Sequence, residues 1–117
     1  MEQTPDLSPD HTIGAVLERL EATIAQRRHA DPETSYVARL SAKGLGKIAQ
    51  KLGEESVETV IAALSEDDKA LTGEAADLVF HLVLLLQARG LSLADVCAEL
   101  SRREGLSGLA EKAARTS

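Results

Sequence analysis

An all-α fold is what this sequence predicts, and two observations carry it. Apolar residues recur at three- and four-residue spacing through most of the chain, which is the period of one helix face. No segment alternates apolar and polar residues as a half-buried strand would. The core material is aliphatic, since there is no Trp and Tyr36 and Phe80 are the only aromatics. The 117 residues suit one domain. A domain of that size buries roughly two-thirds of the surface its unfolded chain exposes.

Residues 1–10 hold Pro5, Ser8, Pro9 and three acids, and read as a flexible tail. From Thr12, Ile13, Val16, Leu17, Leu20 and Ile24 recur at helical spacing and predict an amphipathic helix ending near Arg28. DPETS, from Asp31, reads as a turn with capping residues. Tyr36–Ala42 comes next as a short helix, which KGLG from Lys43 interrupts. Ile48–Leu64 reads as a long helix. SEDD, from Ser65, then supplies a turn and an acidic start suited to the dipole of the next helix, Lys69–Arg89. Gly90 fits the left-handed residue just past a helix end. Ser92 caps a helix reaching about Arg103, with Leu93, Val96 and Leu100 expected inward. Gly105 and Gly108 weaken the C-terminal stretch, so 105–117 is expected to be a weak helix or tail and 11–104 the all-α domain.

Charge narrows the function classes. Thirteen basic residues face nineteen acidic ones, a net charge of −6. A nucleic-acid partner would call for a basic surface, so none is expected. A small anionic substrate stays open, because a metal ion reverses the local sign. One cysteine, Cys97, allows neither an intrachain disulfide nor a Cys-rich zinc site. The N-terminal stretch lacks the basic and apolar regions of a signal peptide. The longest apolar run, Leu78–Leu86, contains His81 and falls far short of the roughly 20 residues of a membrane span. A soluble, cytoplasmic protein is the expectation.

The first long helix carries a charged seam. At about 100° per residue, Lys47, Lys51, Glu54, Glu55 and Glu58 share an arc of about 100°. One reading is a solvated stripe with weak Lys51–Glu54 and Lys51–Glu55 pairs. However, Glu54 and Glu55 both repel Glu58, at four and three residues apart. A solvated helix gains nothing from crowding three carboxylates, whereas a site for a hard cation such as Mg²⁺ needs oxygen ligands.

GEAADLVFHLVLLL, from Gly73, opens the same question on the second helix. Glu74, Asp77 and His81 share one face, while the rest is apolar on every side and predicts a buried helix. Buried carboxylates require partners, either lysines or arginines or a shared cation. A short turn makes the two long helices antiparallel neighbours, so the acidic patches can face each other. His81 on an apolar face is more often a hydrogen-bonded core histidine than a ligand, and is read as supporting the site or facing substrate.

The order Glu55-x-x-Glu58 then Glu74-x-x-Asp77 is the signature arrangement of MazG-type, all-α nucleoside triphosphate pyrophosphatases. SYVARL from Ser35, Lys43-Gly44, KIAQKLGEESVETV from Lys47, EAADLVFHLVLLL from Glu74 and RGLSLADVCAEL from Arg89 resemble the phosphoribosyl-ATP pyrophosphatases of histidine biosynthesis. The resemblance spans roughly residues 13–104. It implies Mg²⁺-dependent hydrolysis of phosphoribosyl-ATP to phosphoribosyl-AMP and pyrophosphate, the second step of that pathway. In many organisms this domain is fused to the next enzyme, a zinc-dependent cyclohydrolase. Here no room remains for it, and a stand-alone form is expected.

For that chemistry Glu55, Glu58, Glu74 and Asp77 are the expected metal ligands. Glu54 and Glu55 are the expected catalytic carboxylates. Ser35, Tyr36, Arg39, Lys43, Lys47, Lys51 and His81 are the expected substrate contacts. The expected assembly is a homodimer or higher homo-oligomer formed through aliphatic faces. Two alternatives remain: a house-cleaning pyrophosphatase with the same chemistry on another nucleotide, and a non-catalytic helical interaction module.

Overall fold

The computed structural model describes residues 10–106 together with 108, 112, 113 and 115. The expected tail over 1–10, apart from Asp10, and much of 105–117 lie outside the described residues. The helices whose bounds lie among the described residues are, in chain order, α1 (Ile13–Arg27), α2 (Tyr36–Ala42), α3 (Leu45–Ser65), α4 (Asp68–Ala88) and α5 (Leu93–Arg102). No strand occurs among the described residues.

Side chains mark most helix starts. The Thr12 hydroxyl accepts from the Ala15 N–H to open α1. Ser35 opens α2 by accepting from the Ala38 N–H at 3.1 Å, and its hydroxyl also donates to the Arg27 carbonyl at 3.4 Å. That pair of bonds fixes the start of α2 against the end of α1. Gly44, at φ 94°, makes the break before α3, a backbone conformation open to glycine. The helix resumes at once at Leu45, three residues earlier than expected, because only the first of the two glycines breaks it.

α3 and α4 pack as an antiparallel hairpin joined by Glu66 and Asp67. The Asp67 carboxylate caps α4, accepting from the Ala70 N–H at 2.8 Å. Gly90, at φ 75°, closes α4: its N–H reaches the Gln87 carbonyl at 2.9 Å, and the Leu91 N–H reaches Leu86 at 2.8 Å. This is the paired bonding of a glycine-terminated helix end. Ser92 and Asp95 cap α5 reciprocally.

The core gathers Ile24 of α1, Val37 and Leu40 of α2, Ile48 of α3, and Val83 and Leu84 of α4. Phe80, Leu85, Leu20 and Leu93 pack around it. Polar bonds stitch the same end together. Arg28 donates to the Gln87 carbonyl at 3.1 Å, and the Gln87 amide donates to the Glu21 carbonyl at 2.9 Å. The Glu21 carboxylate accepts from the Leu93 N–H at 2.8 Å, placing negative charge at the positive end of α5.

Two expectations change here. α4 is long and apolar enough to cross a membrane by length and composition, yet the single chain does not bury it on every side. Only His81, Val83 and Leu84 of α4 are buried, while Asp77 and Val79 are exposed. Core packing covers the second half of α4, and its first half meets chiefly α3. Leu100, expected inward, is exposed, because no helix packs over that side of α5 within the described residues.

Candidate active site

Three carboxylates meet where the hairpin helices face each other. Glu55 and Glu58 come from α3 and Glu74 from α4, and one carboxylate oxygen from each lies within 4.8 Å of the others. Spacing of three residues puts Glu55 and Glu58 on adjoining turns of one face. The antiparallel pairing brings Glu74 opposite. Glu55 is only 8 % exposed. Its Oε2 and the Oε2 of Glu74 are buried without a hydrogen-bond partner.

The electrostatics match that crowding. Burial pushes the Glu55 carboxyl above the ordinary glutamate value of 4.5, and its hydrogen bond and repulsion with Glu58 add to the rise, against an opposing pull from His81. Glu74 is raised the same way, first by desolvation and then by Glu58, Glu55 and Asp77. Among the described residues no Lys or Arg pairs with Glu55, Glu58 or Glu74; Lys51, the nearest candidate in sequence, pairs with Glu54 instead. The lysine-paired reading of the acids therefore has no support in this geometry.

Asp77 stands beside this trio rather than within it. It is exposed, and its charge raises the proton affinity of both Glu55 and Glu74. Its carbonyl accepts a 2.7 Å hydrogen bond from His81 Nδ1. A carbonyl only accepts, so Nδ1 carries the proton. In the neutral ring Nε2 then accepts from the Tyr36 hydroxyl at 2.8 Å. His81 is 5 % exposed and uses both nitrogens internally. Burial raises the Tyr36 hydroxyl above its ordinary value, with Glu55, Glu54 and Asp77 adding to this and Lys51 opposing it, so the phenol keeps its proton.

The remaining expected residues divide by what their side chains already hold. Glu54 leaves the trio: it accepts from Gln50 at 3.0 Å and from Lys51 at 3.2 Å, and these contacts lower its pKa. Lys47 donates to Gln50 at 3.4 Å, on the same exposed side. Arg39 donates to the Pro32 and Glu33 carbonyls at 3.1 and 3.3 Å, holding the loop before α2. Ser35 is occupied as the cap of α2. Lys43 ends α2 and is exposed.

Beside Tyr36 lies a cavity of about 430 Å³, lined by Arg27, Thr34, Ser35, Tyr36 and Phe80 among others. Its members come from the end of α1, the loop before α2 and the middle of α4. Arg27, Thr34 and Phe80 escaped the reading of the sequence. Phe80 carried one usable signal, as the only aromatic besides Tyr36. Arg27 and Thr34 carried none. The Tyr36 and Phe80 ring centres are 6.3 Å apart.

Residues 17–104 match the family model described as "Phosphoribosyl-ATP pyrophosphohydrolase". The chain is 71 % identical over 99 residues to the phosphoribosyl-ATP pyrophosphatase of Erythrobacter litoralis, covering 85 % of this chain and 95 % of the relative. It is 66 % identical over 103 residues to the same enzyme of Novosphingobium aromaticivorans, covering 88 % and 96 %. Against the phosphoribosyl-ATP pyrophosphatase of Azospirillum brasilense the identity is 52 % over 111 residues, covering 95 % of this chain and all of the relative.

Proposed function

The chain belongs to the phosphoribosyl-ATP pyrophosphohydrolase family, and from that premise we propose that Glu55, Glu58, Glu74 and Asp77 hold the Mg²⁺ ion its reaction requires. The reaction is hydrolysis of phosphoribosyl-ATP to phosphoribosyl-AMP and pyrophosphate, a step of histidine biosynthesis. One observation carries the metal reading: two buried carboxylate oxygens, on Glu55 and Glu74, lack any partner inside a cluster of three acids. Unpartnered buried charge is costly, and oxygen-only ligands suit a hard divalent cation. When bound, Mg²⁺ offsets the charge of phosphate oxygens and acidifies a water molecule.

The chain's own groups supply the rest. Of the two expected catalytic carboxylates, Glu55 lies in the trio, whereas Glu54 is held outside it by Gln50 and Lys51. To Lys47 and Lys51 of α3 and Lys43 at the end of α2 we assign the phosphate oxygens, their charge and at least partial exposure supporting that role. The Tyr36–His81–Asp77 chain of hydrogen bonds holds the wall of the cavity against the acidic face of α4. The exposed, free Cys97 fits work in a reducing compartment, and we place the enzyme in the cytoplasm.

The test is pyrophosphate release from phosphoribosyl-ATP, with and without Mg²⁺, beside a panel of canonical and modified nucleoside triphosphates. Metal-dependent turnover of phosphoribosyl-ATP above the panel is expected. Preference for another triphosphate would restore the house-cleaning reading. Absence of both turnover and Mg²⁺ heat in calorimetry would restore the interaction module.

The working unit we propose is a homodimer or higher homo-oligomer. Val57, Val60, Ile61 and Leu64 form an exposed aliphatic stripe on α3, with Leu64 82 % exposed. A contiguous aliphatic stripe of this kind supports a face that another copy covers. Light scattering that returned a monomer at working concentration would overturn this.

A further inference from the structure

Both aromatic rings of an otherwise aliphatic protein border one cavity, and neither belongs to the fully buried core. Tyr36 is 46 % exposed, and Phe80 is only partly buried. Aliphatic side chains would seal such a space at least as well, whereas planar rings at a wall accept the face of a base. The cavity volume falls within the range of small-molecule sites. Its position also fits, since the hydroxyl of Tyr36 connects through His81 to the backbone of Asp77 beside the acidic trio.

Arg27 adds the missing charge. Its neighbour Arg28 is committed to the Gln87 carbonyl. The Arg27 side chain, exposed at the cavity, has no hydrogen bond or ion pair among the described residues. It stands on α1, apart from the α3 lysines that border the acids. Phosphoribosyl-ATP differs from ATP in carrying a second ribose with its own phosphate on the base. A guanidinium at the base cavity, away from the acids, is placed to bind that second phosphate by charge-assisted hydrogen bonds.

Resting on phosphoribosyl-ATP hydrolysis as the reaction, we propose that this cavity is the nucleobase subsite, with Tyr36 and Phe80 as its aromatic wall, and that Arg27 is the specificity-determining cation for the phosphoribosyl arm. Arg27 acts in binding, so its loss raises KM and leaves kcat in place.

The test can be run without turnover or metal. The chain has one Tyr and no Trp, so its intrinsic fluorescence reports Tyr36 alone. AMP and phosphoribosyl-AMP are titrated separately against the wild type, and both are expected to quench the signal, phosphoribosyl-AMP at the lower concentration. Arg27→Gln should weaken phosphoribosyl-AMP by about tenfold or more and leave AMP within about twofold. Phe80→Leu should weaken both ligands alike. Equal loss for both ligands in Arg27→Gln, or no loss, overturns the role of Arg27. Saturable AMP binding that leaves Tyr36 fluorescence unchanged, or AMP affinity untouched by Phe80→Leu, overturns the base subsite. Phe80 also packs against the core, so a melting curve accompanies that variant; Arg27 is exposed, and its variant keeps the test decisive if Phe80→Leu unfolds. A wild type that binds phosphoribosyl-AMP in this way without hydrolysing phosphoribosyl-ATP would refute the reaction and leave the subsite standing.

Discussion

Two acidic sites on this molecule, a lone glutamate on α5 and a trio on the α3–α4 hairpin, solve opposite problems. On α5, Glu99 accepts from Arg102 at 2.6 and 3.0 Å and from Arg103 at 3.2 Å. These hydrogen bonds draw its pKa down to about 2. On the α3–α4 hairpin, Glu55 and Glu74 keep one oxygen each without a partner, and burial with mutual repulsion drives both upward. The α5 carboxylate is at rest in the chain as it stands. The hairpin carboxylates keep buried oxygens that no group among the described residues satisfies. The direction of the shift separates the two.

The largest test of this contrast is activity. Glu55→Gln and Glu58→Gln are each expected to cut turnover about a hundredfold or more while the fold survives, because Gln keeps the shape and removes the charge. Glu99→Gln should leave turnover unchanged. Near wild-type turnover in Glu58→Gln would remove that residue from the metal site.

Next comes stabilisation by the ion. A ligand that binds only the folded state stabilises it by about 2.7 kcal/mol at a hundredfold excess over Kd. Mg²⁺ should therefore raise the Tm of the wild type and of Glu99→Gln equally. Glu58→Gln should lose the rise. Asp77, exposed at the edge of the trio, should lose part of it in Asp77→Asn; the full rise there would show that Asp77 is no ligand.

A smaller effect is the opposite pH dependence of the two acidic sites without metal. Glu74 has a raised folded pKa, so the folded state binds more protons than the unfolded state above 4.5. Its contribution is favourable below that value and is lost as pH rises through the folded pKa. Compared with Glu74→Gln, the wild type should gain stability as pH falls from 7 toward 4.5. Glu99 has a depressed pKa; its contribution is present above 4.5 and fades as pH falls toward about 2. Denaturant titrations across pH would expose a common slope, which would abolish the contrast. Smallest of all is the Glu99 contribution itself: its ion pairs are solvent-screened, so Glu99→Gln at neutral pH should lower Tm only slightly, by the same amount that the wild type loses as pH falls toward about 2.

The sequence made the helices and the acids legible for different reasons. Periodicity and turn signals marked the five helices named above, and the caps expected in DPETS and at Ser92 sit where expected. Glu55, Glu58 and Glu74 were found because i,i+3 spacing and an antiparallel hairpin leave little geometric freedom. Glu54 was grouped with them because an arc of about 100° is too broad to say which carboxylate turns toward the partner helix. The uniform greasiness of α4 suggested burial, whereas burial depends on what packs against each half, and composition does not record that. The cavity was missed because Arg27, Thr34 and Phe80 come from three separate segments that no local pattern links. Arg39 and Ser35 looked like ligand contacts, and the bonds that hold them to nearby backbone became visible only in three dimensions.

The two-residue link between α3 and α4 has a kinetic consequence. Glu55 and Glu74 lie on neighbouring helices of one hairpin, so little chain entropy opposes their meeting. Contacts this local form readily as a chain collapses. If the three acids come together while the hairpin closes, their repulsion falls on the folding barrier as well as on the finished molecule. A divalent cation should then quicken refolding, not merely delay unfolding. If Mg²⁺ changed only the unfolding rate, closure of the acidic pair would belong after the barrier, and the hairpin would be the last part of the fold to lock.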